Sequence, residues 1–101
     1  MSGTFNPYRH QYEVIPASSA AVVLGNTGAV GDFLHRLVLN VTTGASAVWI
    51  LFDGSTTVIT NAGALPLGIN NIEINAASQN GAWKVTTGAG ITIIGIGTFT
   101  N

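Results

Sequence analysis

The chain has 101 residues, of which 47% are hydrophobic and only 7% are charged, and its formal net charge is −1. Because soluble domains are about a quarter charged, this composition is typical of a subunit that stays in contact with other protein. Three basic residues do not make a nucleic-acid-binding face, and no apolar run approaches the roughly 20 residues of a membrane-spanning helix. We therefore expect neither nucleic acid nor a membrane as a partner.

The first 17 residues differ in composition from the rest of the chain. They contain both tyrosines, one of the three basic residues and one of the two histidines. We predict an extended arm over residues 1–17, followed by a domain over residues 18–101, and expect the domain to fold without residues 1–16. The arm is predicted to bind a partner through Phe5, Tyr8, Arg9, His10 and Tyr12. The alternative is an ordinary frayed terminus.

Short β-branched runs separated by Gly and Asn predict an all-β domain. The strands are predicted at residues 20–24, 32–41, 47–52, 56–60, 70–75, 82–86 and 91–100. Asp53-Gly54 and Asn80-Gly81 are typical of the turns between paired strands. Because no helical connection is long enough for a parallel crossover, about seven or eight strands at this spacing predict an antiparallel β-sandwich or small barrel.

Alternation along the strands predicts which side chains face the core. In the predicted strand over residues 82–86, Trp83 and Val85 share a face that we assign to the core. Gly95 and Gly97 inside the final strand predict a bulge or a close backbone approach. In the second strand, one face is predicted to carry Phe33, His35, Leu37, Leu39 and Val41, and the other Leu34, Arg36, Val38 and Asn40.

Two predicted strands are apolar on both faces. In one, Trp49 lies between two apolar neighbours, and in the other, Ile94 and Ile96 face away from Ile91 and Ile93. An exposed apolar strand would be an aggregation hazard, so we expect another subunit or a partner to cover these strands. The predicted subunit or partner interface contains Trp49, Leu51, Ile94 and Ile96.

No arrangement of residues in the sequence is typical of catalysis or of metal binding. His10 and His35 are 25 residues apart and do not have the spacing of paired metal ligands. A glycosidase would need Asp53 and Glu73 on either side of one cleft, which nothing in the sequence predicts. No serine lies in a Gly-x-Ser-x-Gly motif. We therefore expect no enzymatic activity, no metal and no cofactor.

Two segments carry a resemblance to a known group of proteins. One is residues 31–40, GDFLHRLVLN, and the other is residues 48–54, VWILFDG. The chain resembles the small all-β decoration, or cement, proteins of tailed bacteriophage heads. The resemblance covers these two segments, the Gly- and Thr-rich ending and the overall style of about residues 17–100. Similar phage proteins carry a Gly-x-Leu-His-Arg-hydrophobic strand followed by a hydrophobic-Asp-Gly/Asn hairpin, and the first spacing is slightly longer here.

The resemblance implies a jelly-roll-like sandwich that forms dimers or trimers on the outer capsid surface of the virion. Such proteins clamp neighbouring major capsid subunits through many weak contacts that act together, without any reaction. The predicted arm would then contact an adjacent capsomer. The alternative function is a receptor- or glycan-binding module of a phage tail or fibre, in which an exposed Trp49 or Trp83 would stack on sugar rings.

Overall fold

The computed structural model of the chain describes residues 11–61 and 64–100. The β-strands are Gln11–Ile15 (β1), Val22–Val23 (β2), Phe33–Val41 (β3), Trp49–Asp53 (β4), Thr56–Thr60 (β5), Gly68–Ala77 (β6), Trp83–Thr87 (β7) and Ile91–Thr98 (β8), and a short 3-10 helix covers Gly44–Ser46. Within the described residues, no helix has the length and apolar character needed to cross a membrane.

The strands pair antiparallel, the first with the last, the second with the second to last, and so on towards the middle of the chain. β1 pairs with β8, β2 with β7, β3 with β6 and β4 with β5. The pairings β3–β8 and β4–β7 join these couples into sheet A, in the order β1-β8-β3-β6, and sheet B, in the order β2-β7-β4-β5. Eight strands wound in this order over two sheets form a jelly roll. The expected antiparallel, jelly-roll-like β-sandwich is confirmed.

The core lies between the inner faces of the two sheets. Sheet B contributes Trp83 and Val85, and their predicted place in the core is confirmed. The predicted close approach in β8 is also confirmed, because a Cβ added to Gly97 would collide with the carbonyl oxygen of Phe33. The other buried side chains come from both sheets and their connections and include Ile15, Leu24, Leu37, Leu39, Leu51, Ile91 and Ile93.

The predicted alternation of β3 is wrong at the beginning of the strand. The register with β6 shifts there, because Leu34 pairs with Ala76 whereas Arg36 pairs with Glu73. Such a bulge reverses the alternation of the residues that precede it. Leu34 is therefore fully buried on the same side as Leu37, although the alternation of the sequence predicts opposite faces for the two.

The predicted boundary at residue 17 is also wrong. Gln11–Ile15 forms β1, which pairs with β8 over all five of its residues. Ile15 is fully buried, and the side-chain Oε1 of Gln11 accepts a hydrogen bond of 2.9 Å from the backbone N of Phe99. This part of the predicted arm is therefore a strand of the sandwich, and β8, which lies between β1 and β3, is not an edge strand.

Candidate functional surfaces

Asp32 is a buried carboxylate whose oxygens are occupied by hydrogen bonds within the protein. Its Oδ2 accepts from the backbone N of Ala29 at 3.0 Å and of Thr100 at 2.9 Å, and its Oδ1 accepts from the Thr100 hydroxyl at 2.6 Å. Its carbonyl oxygen accepts from Nε1 of Trp83 at 2.8 Å. These bonds join the segment around Asp32 to the end of the chain at Thr100 and to Trp83 on β7. Asp32 therefore has a structural role.

Asp53 forms a second buried structural contact. Its Oδ2 accepts from the backbone N of Gln79 at 2.9 Å, and its Oδ1 accepts from the backbone N of Asn80 at 3.0 Å. The carboxylate thereby ties the β6–β7 turn to the β4–β5 hairpin. The hairpin predicted at Asp53-Gly54 is confirmed, and Gly54 adopts the positive φ of 63° that this turn requires.

The acidic residues considered as a catalytic pair lie on different sheets. Asp53 faces the core from sheet B, whereas Glu73 is exposed on the outer face of sheet A. They do not flank one cleft as a glycosidase pair must. Within residues 11–61 and 64–100, no group of three or more His, Cys, Asp or Glu side chains could hold a metal ion.

An apolar surface extends over three strands on the outer face of sheet A. Val14, Ile94 and Val38 lie side by side across β1, β8 and β3, and Tyr12 and Ile96 lie side by side in the next row. Tyr12 is 72% exposed and Val14 is 48% exposed, while the other three are half-buried. We call these five residues the sheet A patch.

Polar residues border the sheet A patch on its β6 side. Arg36 follows Ile96 in its row, and Glu73 follows Arg36. Asn71 lies opposite Val38, and its Oδ1 accepts a hydrogen bond of 3.4 Å from Nη1 of Arg36. An apolar centre with a polar border is the usual composition of a protein–protein interface.

The structure brings together residues that the sequence assigns to separate sites. Tyr12, predicted as part of the arm, lies directly opposite Ile96, predicted as part of the interface, and Ile94 lies in the next row. The remaining residues of the predicted arm contact, Phe5, Tyr8, Arg9 and His10, lie outside the described residues.

Trp49 and Leu51 cannot take part in the predicted interface. They face the core and are 2% and 0% exposed. The outward side of β4 carries Ile50 and Phe52, both half-buried. The prediction therefore assigns the wrong face of β4 to the interface. Both faces of the strand are apolar, so the sequence does not distinguish them.

Sequence reasoning missed Val14 and Val38 as members of the sheet A patch. Val14 is hidden by the assignment of residues 1–17 to an arm, although residues 11–14, QYEV, alternate polar and apolar side chains as a strand does. Val38 is predicted on the correct face of its strand, with Arg36. Its neighbours on β8 follow only from the order of the strands.

The two sides of the sandwich, where its sheets end, are not equally covered. Six partly buried apolar side chains pack against the core in the described part of the chain, and one of them, Val22, lies on β2. The other five belong to β5, β6 or the connection between these strands, namely Ile59, Leu65, Ile72, Ile74 and Ala76. We call the β1–β2 side the closed side and the β5–β6 side the open side.

Comparisons with known proteins supply no relative. No protein-family model, curated protein or solved structure matches the chain. The function is therefore inferred from the composition, the fold, the sheet A patch and the open side.

Proposed function

We propose that this chain is a structural virion protein that binds the outer surface of a phage head and stabilises contacts between major capsid subunits. The observation that carries the proposal is the sheet A patch, a group of exposed and half-buried apolar side chains on a chain with very few charges. In the proposal, this patch contacts the major capsid protein. Each contact can be weak, because contacts of one bound copy with neighbouring subunits act together. No reaction is assigned to the chain.

The architecture supports the proposal by analogy alone. Eight-stranded jelly rolls build capsid proteins as well as lectins, and a fold does not determine a function. The composition adds a separate argument, since few charged residues are available to keep an isolated small domain dispersed. A permanent place in a large assembly would remove that requirement.

The alternative function, a receptor- or glycan-binding module of a tail or fibre, has less support. Trp49 and Trp83 are the residues that this alternative requires to stack on sugar rings, and both are buried in the core. Among the described residues, Tyr12 is the one aromatic side chain that is largely exposed. One ring on a flat sheet offers less stacking surface than a groove lined by several aromatic residues.

The proposal includes a homo-oligomer, a dimer or a trimer, on the outer capsid surface. It also includes capsid contacts by Phe5, Tyr8, Arg9 and His10. These residues precede β1 in the sequence, and β1 carries Tyr12 and Val14 of the sheet A patch. Contacts made by residues 1–10 would thus adjoin those made by the patch.

Binding to phage heads tests the proposal. Heads of the virus that encodes the chain are prepared without it, and binding of the purified protein is measured by co-sedimentation. Val14→Asn should weaken binding about tenfold, because about 1.4 kcal/mol of apolar burial is lost at each contact. Val48→Asn is the matched control, since Val48 is 49% exposed and lies outside the patch. Failure of the wild-type protein to bind heads, or equal binding by both variants, would contradict the proposal.

A further inference from the structure

We propose that β6 pairs with β6 of a second copy of this chain, so that two sandwiches share one continuous eight-stranded sheet. The proposal rests on the homo-oligomer of the proposed function and names its interface, but it does not depend on capsid binding. It concerns the open side of the molecule, not the sheet A patch.

The main chain of β6 is the longest exposed strand edge in the described fold. Of the four edge strands, β2 has two residues, β1 and β5 have five each, and β6 has ten. Natural sheets protect such edges with short strands, lysine, proline or inward-pointing charges. β6 contains no lysine or proline, and Glu73 is its one charged residue. Its free backbone groups are therefore well suited to pairing with another strand.

The side chains of the open side indicate that something covers this edge. Ile72 and Ile74 point inward from β6 and pack against the core, yet both remain partly exposed. A second sandwich placed beside β6 would cover the exposed parts of Ile72 and Ile74 and continue the core across the junction.

The charge of Glu73 disfavours one register of the pairing and favours the register centred on Ile72. A two-fold axis perpendicular to the sheet relates two antiparallel β6 strands and keeps inward side chains on the inner face of both. An axis through Glu73 would place the carboxylate directly opposite its own copy, which is destabilising. An axis through Ile72 instead places Ile72 opposite its copy. Asn71 of each copy then lies opposite Glu73 of the other copy.

Polar groups at this junction are complementary in the register centred on Ile72. Nη1 of Arg36 donates to Oδ1 of Asn71, so the amide NH₂ of Asn71 can donate to the carboxylate of Glu73 of the partner subunit. The pairing is centred on residues 70–74, which precede the irregularity at Asn75, where φ is 51°. The same strand thus supplies both halves of a two-fold symmetric interface, which favours a second copy over an unrelated strand.

Sedimentation equilibrium of the purified full-length chain tests the interface. We expect a dimer that dissociates on dilution, and opposite effects of two substitutions at one exposed residue. Asn71→Glu sets like charges opposite each other twice and should raise the dimer Kd about tenfold, whereas Asn71→Lys should lower it by a similar factor. Asn71→Glu keeps an acceptor for Arg36, so its thermal melt should match the wild type at a dilution where both proteins are monomeric. Tyr12→Glu, on the far edge of the same sheet, is the control that should leave the dimer unchanged.

Single cysteines test the register in a chain that has no cysteine of its own. Ile72→Cys brings the two Cα atoms within about 4.5–5.5 Å, which suits a disulfide, and should give a covalent dimer on oxidation. Asn71→Cys faces its copy only diagonally, at about 7–8 Å, and should not. A chain that is monomeric or trimeric, a dimer lost in Tyr12→Glu but indifferent to Asn71, or a disulfide through Asn71→Cys alone would each overturn the interface. Loss of capsid binding with an intact dimer would contradict the proposed function and leave this interface standing.

Discussion

The closed side and the open side of the sandwich differ in how the chain crosses between the two sheets. At the closed side, residues 16–21 cross from β1 to β2 and bond to β7 and to its following turn. The backbone N of Ser18 donates to the carbonyl of Gly88 at 2.9 Å, and the backbone N of Ser19 donates to Oγ1 of Thr87 at 3.0 Å. The backbone N of Thr87 returns a bond to the carbonyl of Ser19 at 2.9 Å.

At the open side, the connection from β5 to β6 is attached elsewhere. Asn61 donates from Nδ2 to the carbonyl of Ala47 at 2.8 Å and accepts at Oδ1 from the backbone N of Trp49 at 2.7 Å. The backbone N of Leu65 donates to the carbonyl of Gly44 at 3.2 Å. These bonds hold the connection against the segment that leads into β4, away from the length of β6. The difference shows that a segment of the chain itself covers one side, whereas the connection on the other side leaves the edge of β6 uncovered, where we propose the second copy.

Deleting residues 1–15 breaks the closed side and has the largest expected effect. The deletion removes β1, exposes the backbone of β8 and removes the buried side chain of Ile15. Since small domains are stable by only about 5–15 kcal/mol, this chain should lose its cooperative thermal transition. Deleting residues 1–10 keeps β1 and should preserve the transition, measured by circular dichroism. A cooperative melt at the wild-type temperature after the longer deletion would show that β1 is dispensable, as the predicted arm implies.

Two isoleucine truncations compare the sides directly. Ile15→Ala, at a fully buried position of the closed side, should lower the free energy of unfolding by about 3–4 kcal/mol. Ile72→Ala, at a partly exposed position of the open side, should cost about 1–2 kcal/mol when the protein is dilute and monomeric. Urea unfolding curves give both values. Equal losses would mean that the two sides are equally well packed.

Much of the sandwich could be predicted because its strands alternate cleanly. β4 to β8 lie within two residues of their predicted bounds, since Asp-Gly, Asn-Gly and Gly-rich turns separate β-branched runs. The core position of Trp83 follows correctly from the face that it shares with Val85. β1 was missed because its inward-facing side includes Gln11 and Glu13, and only pairing with β8 gives these residues a place in a sheet.

The candidate surfaces were less predictable, because they depend on the order of the strands. Trp49 and Ile50 are both apolar, so alternation alone could not say which of them faces the core. Ile94 and Ile96 are correctly separated from Ile91 and Ile93 by alternation, but their neighbours Val14 and Tyr12 follow only from the β1–β8 register. Leu34 was misplaced because nothing in the sequence of β3 marks the register shift that follows it.

The copy number of this chain in purified virus particles, relative to the major capsid protein, tests the proposed function most directly. Quantitative mass spectrometry of intact particles gives that ratio. A protein that binds throughout the capsid lattice predicts a ratio near one or a simple fraction of one. A handful of copies per particle, or none, would contradict a structural role across the head.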